Sequence, residues 1–424
     1  MRAGPLWVVR GLMMGCRNVN EGERLRILIV SYYLYPGGAI GGLRVHNIAR
    51  ALSLLGHDVV VVTSETGDSD DFGYHRIVVT DHARMTRLQK LVYVPDPMVR
   101  WARSVWSQTT REGTLEGIDV LLTSGSPFST HLIGLWARET GWAGTWAVEF
   151  RDLWSDSPYF RWGPGRRVVE ARMERRVLSS ADGAIATTEG IAARLRAKAH
   201  VDAVPVYSAL VPIPVCGTDD DAEVGRESKC LKIVHAGYLY KGRRDVTDLL
   251  QVIAELRDEG RIEPDAFEVH FYGPDDARLL RGIRRLDLGR FVLVHGEVGR
   301  DEVWRELSRA DVLLVVRWPD QREAPFLPGK LFEYLTLFKP ILLVNAVPGG
   351  EAEQMVVRTH AGVCCETRGK IKTALIDWID EKRRSGALTA NDPSPALAAL
   401  EVSHVGERYE AALRAFGSGG VDRG

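Results

Sequence analysis

Apolar positions along the chain fall into short unbroken runs separated by stretches with helical spacing. Arg26-Ile27-Leu28-Ile29-Val30-Ser31, Asp58-Val59-Val60-Val61-Val62-Thr63 and Asp119-Val120-Leu121-Leu122-Thr123-Ser124 carry almost no polar interruption. Runs of this kind predict strands covered on both faces, as in a parallel sheet. Between the first two runs, Leu43, Ile48, Leu52 and Leu55 recur with helical spacing, and Gly56 stands where a helix would stop. The same rhythm predicts strands at Trp146–Asp152, Ala184–Thr188, Leu231–Gly237, Phe267–Gly273, Phe291–His295, Asp311–Arg317 and Lys339–Val344. Strand, loop, helix, strand, given twice, predicts an α/β protein of two Rossmann-like, doubly wound domains. We place the first at 25–204 and the second at 231–402. Residues 205–230 form the connection, since Pro205, Pro212 and Pro214 precede Asp219-Asp220-Asp221 without a sustained period. Residues 1–24 read as an extension. Ser403 to Phe416, within 403–424, reads as a terminal helix that crosses back to the first domain.

Chemistry concentrates at two loops. Pro325-Phe326-Leu327-Pro328-Gly329-Lys330-Leu331-Phe332-Glu333 is a proline- and glycine-bounded turn running into a helix between two predicted strands. A helix opening at the carboxyl edge of a parallel sheet offers backbone N–H groups and partial positive charge to a diphosphate. Lys330 adds a full charge there, and Glu333, three residues on, shares its side of the helix and suits ribose hydroxyls. In the first domain, Tyr32 to Gly42 forms a four-glycine loop after the opening strand, where a backbone without Cβ atoms can approach a ligand. A nicotinamide-type fingerprint, with Glu65 as ribose acid, requires GxGxxG directly after the strand, whereas five residues separate Ser31 from Gly37. Glu149, Arg151 and Asp152 close another predicted strand and so face the ligand crevice; the structural alternative is a pairing of Arg151 with one of the two acids.

Bulk properties narrow the class. At 424 residues the chain exceeds one core, and 45% hydrophobic with 26% charged residues is ordinary for a globular protein. A net charge of −1 gives no electrostatic case for nucleic acid. Cys16, Cys216, Cys230, Cys364 and Cys365 show no CxxC spacing and read as reduced thiols of a cytoplasmic protein, neither a disulfide frame nor a zinc site. No apolar run approaches the ~18 residues of a membrane span, so any membrane contact would be peripheral. Residues 84–106 interleave Arg84, Arg87, Lys90, Arg100 and Arg103 with Trp101 and Trp106. That is either a face for a membrane or an acceptor, or two helices with solvated arginines. Pro95 and Pro97 preclude one long amphipathic helix and favour the second reading.

PGGAIGGLRVHNIARALSLLGHDVVVVT, VEFRDLWSD, AGYLYKGRRD and PGKLFEYLTLFKPIL, in this order, resemble glycosyltransferase family 4, and the resemblance spans about residues 25 to 416. It implies a GT-B fold, two Rossmann-like domains facing each other across a cleft. It further implies metal-independent transfer, with retention of configuration, of a sugar from a nucleotide-diphosphate donor, UDP-linked in expectation. The donor lies mostly against the second domain. A saccharide, lipid-linked or small-metabolite acceptor lies against the first, and no cofactor is implied. Glu333 matches the ribose-binding glutamate, with Lys330 in its P-x-K-x-x-E pattern and Leu331 between them. Lys241, Arg243 and Arg244 match the region of the cationic diphosphate clamp, which leaves open which of them reaches the phosphates. Gly41 and Gly42 match the loop that approaches the diphosphate and the reacting sugar.

One position departs from the family. A second glutamate, eight residues before Glu333, is replaced by Pro325. Glu323 is the nearest carboxylate, and the amides of Phe326 and Leu327 are alternative contacts for the sugar. For catalysis the expected set is Lys330 and Arg243 on the leaving diphosphate and Asp152 on the acceptor hydroxyl. His46 is in reserve, itself equally readable as a packing histidine. The competing functions are a nucleotide-sugar epimerase on the same fold and a non-catalytic nucleotide-sugar-binding protein.

Overall fold

The computed structural model describes residues 23–35, 40–66, 72–80, 93–160, 162–211, 229–240, 242–389 and 395–418. Within them the apolar runs form two parallel sheets. The first contains β1 (Arg26–Ser31), β2 (Asp58–Thr63), β3 (His75–Val78), β4 (Val120–Gly125), β5 (Thr145–Phe150), β6 (Gly183–Ala186) and β7 (Ala203–Pro205). Its order is β3-β2-β1-β4-β5-β6-β7. The second contains β8 (Leu231–Ala236), β9 (Phe267–Tyr272), β10 (Val292–Gly296), β11 (Val312–Val316), β12 (Ile341–Val344) and β13 (Gly362–Cys365), in the order β10-β9-β8-β11-β12-β13. In both sheets the winding reverses beside the opening strand, between β1 and β4 and between β8 and β11. Such reversals leave a crevice at the strands' carboxyl ends.

Each sheet is covered on both faces, which is why its interior strands read as unbroken apolar runs. Leu28 and Val30 face one layer of the first sheet while Ile27 and Ile29 face the other. β3, β7 and β13 were not apparent in the sequence, and all three are edge strands. An edge strand is half-covered and short, so its apolar signal is weak; β7 even ends on Pro205, which an edge tolerates. In the stretch 84–106, residues 84–92 lie outside the described set. Trp101 is buried and donates to the Val79 carbonyl, and Trp106 packs on Trp136, so these aromatic members turn inward.

The C-terminal helix, Val402–Ser418, returns to the first domain, where Val405, Tyr409, Leu413 and Phe416 enter its core. A polar knot fixes it. Glu149, fully buried at the end of β5, accepts from Arg44 Nε at 2.7 Å and from the hydroxyls of Ser124 and Tyr409. Arg44, in the Ile40–Leu54 helix, also donates to the Val206 carbonyl and to Tyr409 Oη. Burial alone would push the Glu149 carboxyl up, but Arg44 and Arg151 outweigh it and hold the group below its ordinary value. Glu149 is therefore a structural acid and not part of the crevice, and its ion pair is with Arg44.

The two domains also touch directly. Thr188, which caps the Glu189–Ala199 helix, donates to the Pro325 carbonyl at 2.7 Å. Glu351 of the second domain accepts from the Gly190 N–H at 2.6 Å and from Tyr207 Oη at 2.9 Å, placing a carboxylate at that helix's positive end. A Cβ on Gly190 would stand 2.8 Å from Pro325 Cα, so only glycine permits this approach. Phe326 enters the first domain's core, a burial worth roughly 1.5–3 kcal/mol.

Removing one partner from the Glu149 knot strands a buried charge. Arg44→Ala is expected to lower the unfolding free energy by about 3–5 kcal/mol, read from urea denaturation. Arg44→Met combined with Glu149→Leu should recover most of that loss. Since the Glu149 carboxyl is depressed, the stabilisation it gives is present above the unfolded carboxylate pKa and disappears as pH falls through its lower folded value.

Candidate functional site

The second sheet's reversal sits between β8 and β11, and the short Lys330–Thr336 helix runs beside it. Two side chains one turn apart on this helix seize the end of β8. Tyr334 Oη accepts from the Ala236 N–H at 3.0 Å, and Lys330 Nζ donates to the Ala236 carbonyl at 2.5 Å. Lys330 Nζ also lies 3.3 Å from His235 Nε2. His235 Nδ1 faces the Leu314 carbonyl at 2.8 Å, and a carbonyl only accepts. The proton is therefore on Nδ1, and Nε2 offers a lone pair to Lys330. Burial and the neighbouring lysine hold the His235 pKa well below its ordinary value, so the ring is neutral.

Cations crowd the same corner. Burial, with Arg244 nearby, drives the Lys330 amine well below its ordinary pKa. Burial also lowers Arg244, and it lowers Arg317, at the end of β11, with Arg244 contributing. Arg244 is steered inward by the ring of Tyr240, 4.4 Å away, and by the Tyr238 carbonyl. Like charges held together out of water are unfavourable until an anion joins them. Arg317 is already matched by Glu323 at 2.8 Å and donates to the carbonyls of Glu323 and Phe326. Among the described residues, Lys330 and Arg244 make no such ion pair, their contacts being His235 and Ala236 for the one and Tyr238 and Tyr240 for the other. Glu333 lies 3.4 Å from Arg300, and burial raises its carboxyl pKa.

The clamp region thus divides. Arg244 joins Lys330, whereas Arg243 lies over the rings of Trp318 and Tyr159, at 4.9 and 5.5 Å. The sequence reading put Arg243 on the leaving diphosphate; here aromatic faces hold its guanidinium in the joint between the domains. Lys241 lies outside the described residues.

The Pro325 turn also departs from expectation. Glu323 is fully buried against Arg317 and Tyr159 Oη, so its carboxylate is closed to a sugar. The Phe326 amide donates to the Glu323 carbonyl at 2.9 Å and is already committed. Leu327 is half-buried against the second domain's core, and Leu331 is fully buried, with its amide on the Pro328 carbonyl. The Phe332 amide bonds to Gly329 in the same manner. The helix opening therefore has fewer free N–H groups than the sequence suggested, and the charge of Lys330 matters more.

On the first domain, Asp152 follows β5 and remains solvent-accessible. The protein packed around its carboxyl raises its pKa despite that access, while Arg151 opposes the rise. Arg151 itself pairs with neither carboxylate; it donates to the carbonyls of Gly125, Ser126 and Gly41, tying the β1, β4 and β5 loops together. Gly41 and Gly42 open the Ile40–Leu54 helix at the first reversal. A Cβ on Gly42 would stand 2.6 Å from the Leu34 carbonyl carbon, and one on Gly41 2.3 Å from Arg151, so both have a packing role. The remaining glycines of that loop, Gly37 and Gly38, fall outside the described residues. His46 bonds Tyr74 Oη at 3.0 Å and packs among Tyr35, Phe72 and Tyr74; none of these contacts reaches Asp152 or Lys330.

Burial, then the Asp152 charge, pushes the Glu323 carboxyl up to about 7. Sequence reasoning missed Arg317, His235, Tyr334 and Tyr159. The first two end apolar runs at a carboxyl edge, which is the signal that singled out Asp152. Tyr334 and Tyr159 carry no such signal. Among the described residues, no three His, Cys, Asp or Glu side chains converge as metal ligands.

Two Rossmann-like sheets with a cation-bearing crevice between them define a GT-B architecture. Residues 41–207, most of the first domain, match the family model of the glycosyl transferase 4-like domain. Among solved structures the chain is similar to trehalose 6-phosphate synthase from Burkholderia multivorans, at TM-score 0.61 and 13% identity over 93% of this chain and 100% of that one. It is also similar to sucrose-phosphate synthase from Thermosynechococcus elongatus, at TM-score 0.59 and 16% identity over 93% and 96%. A putative UDP-N-acetylglucosamine 2-epimerase from Listeria monocytogenes gives TM-score 0.55 and 10% identity over 93% and 96%. No curated protein sequence matches the chain. The fold and a glycosyltransferase 4-like first domain bear out the resemblance read from the sequence.

A buried carboxyl with a raised pKa stabilises the fold in its protonated form, and that contribution declines as pH rises from the unfolded value near 4.5 through about 7. Glu323→Gln removes the ionisation but keeps the shape. Denaturation curves from pH 5 to pH 8 should show the parent losing stability relative to this variant as pH rises.

Proposed function

We propose that the chain is a glycosyltransferase that moves a sugar from a nucleotide-diphosphate sugar, UDP-linked, to an acceptor hydroxyl presented by the first domain. The observation that carries this reading is the convergence of Lys330 and Arg244 at the second domain's crevice, each depressed in pKa and matched by no stronger anion there. The acceptor oxygen bonds to the anomeric carbon as that carbon's bond to phosphate breaks, and the electron pair leaves on the β-phosphate. Lys330 and Arg244 meet that growing charge, which makes their attraction greater in the transition state than in the ground state. Asp152 accepts the acceptor's proton, and Glu333 holds ribose hydroxyls. Two cations of the chain itself neutralise the diphosphate, so the reaction is read as metal-independent, and retention of configuration follows the resemblance.

The decisive experiment is a thermal-shift screen of nucleoside diphosphates and their sugars. The matching ligand at 100 times its dissociation constant should stabilise the protein by about 2.7 kcal/mol, and Lys330→Ala or Arg244→Ala should abolish the shift. Burial and Arg244 oppose the Lys330 charge in the free protein, and an incoming anion favours it. Calorimetry in buffers of different ionisation enthalpy should therefore show proton uptake when the diphosphate binds. Each variant should lower turnover on the order of 100-fold, with Arg243→Ala affecting it less.

Asp152→Asn should leave donor binding intact while transfer falls on the order of 100-fold or more, and EDTA should leave the parent's rate unchanged. An epimerase would interconvert the donor alone, so product analysis without acceptor separates that reading.

A further inference from the structure

The Pro164–Ser180 helix has the reverse of an ordinary surface helix's polarity. Its inward positions Glu170, Glu174, Val177 and Leu178 include both of its acids. Glu170 accepts from Trp154 Nε1 at 2.7 Å and Arg166 Nε at 3.0 Å. Glu174 accepts from Lys198 Nζ at 2.6 Å and the Ser155 N–H at 3.1 Å. The outward side presents Arg167, Val168, Val169, Arg172, Arg175 and Arg176. Val168 is 49% exposed and Val169 45%. Among the described residues, Arg176 alone of these has an acidic partner, Glu139 at 2.6 Å. Burying two carboxylates while exposing two valines is unfavourable in water, so the outer face is shaped for something other than solvent.

Charge and apolar surface together select the occupant. An anionic polymer would satisfy the arginines and leave the valines idle. The surface of an anionic bilayer satisfies both, with guanidinium groups at the lipid phosphates and the valines at the acyl boundary. Phe160 and Trp162 stack at 4.7 Å just before the helix and pack against the domain's core, fixing where the helix begins. The Val99–Arg111 helix, on the same side of the sheet but beyond the His131–Glu139 helix, turns Arg103 and Arg111 outward. The segment 153–163 connects Asp152 directly to the Pro164–Ser180 helix.

We propose that the outward face of this helix docks the protein on an anionic lipid bilayer, with the Asp152 side of the gap held at the membrane surface. Docking itself is independent of the transfer reaction; its consequence, an acceptor carried by the same bilayer, rests on the function proposed above. The full chain should co-sediment with vesicles of phosphatidylcholine plus phosphatidylglycerol and not with phosphatidylcholine alone, and added salt should release it. Arg167→Gln, Arg172→Gln and Arg175→Gln together should reduce partitioning on the order of 100-fold, given about fivefold per arginine near such a surface. Val168→Ser with Val169→Ser should reduce it several-fold. These positions are solvent-facing, so urea unfolding curves should match the parent and separate docking from folding. Failure of the parent to sediment, or undiminished sedimentation of the triple variant, overturns the proposal. Retention on heparin without vesicle binding overturns it in favour of an anionic polymer. Because the readout is sedimentation, it stands or falls apart from any assay of sugar transfer.

Discussion

The candidate site depends on how one residue of backbone, Ala236, is held. Its N–H goes to Tyr334 and its carbonyl to Lys330, so both polar groups at the end of β8 are satisfied by side chains one helical turn apart. An unmatched buried backbone group costs roughly 1–3 kcal/mol, so the helix and the strand end are fixed to each other. The lysine that completes this staple is also the group brought against Arg244. Stability and charge crowding therefore come from the same contact.

Interior strands were legible because parallel sheets covered on both faces leave unbroken apolar runs, and β1 and β2 coincide with the runs that announced them. Of the four edge strands only β10 was, since β3, β7 and β13 need only half that cover and kept no apolar run of their own. The place of Lys330 was legible because strand, turn, helix and strand locate a helix start at a sheet's carboxyl edge, and that of Asp152 because it ends a run. Arg243 and Arg244 were inseparable in sequence, since adjacent residues of a loop diverge according to which rings stand nearby. Only the folded arrangement of Trp318, Tyr159 and Tyr240 assigns one to the joint and the other to the crevice. Glu323 and Phe326 misled for a related reason: a tight turn uses up its own amides and carbonyls, and sequence spacing does not disclose that.

Pro325 gains a physical account from its surroundings. Where relatives of the resembled family carry a glutamate, this chain carries a residue whose carbonyl accepts from Thr188 and whose ring closes on Gly190. Proline fits this close approach and fixes the turn. The first domain's contribution to the site thus extends beyond Asp152 to the shape of the opposing loop.

Lys330 follows Pro325 by five residues, and the turn between them is stiffened by Pro328 and tied down by Arg317 at Phe326. Parting the two halves would withdraw Thr188 and Gly190 and release the peptide that precedes the lysine. A lever this short transmits displacement with little slack. Loosening at the first domain would therefore be felt at the Lys330 corner of the second, and the two halves share one mechanical element.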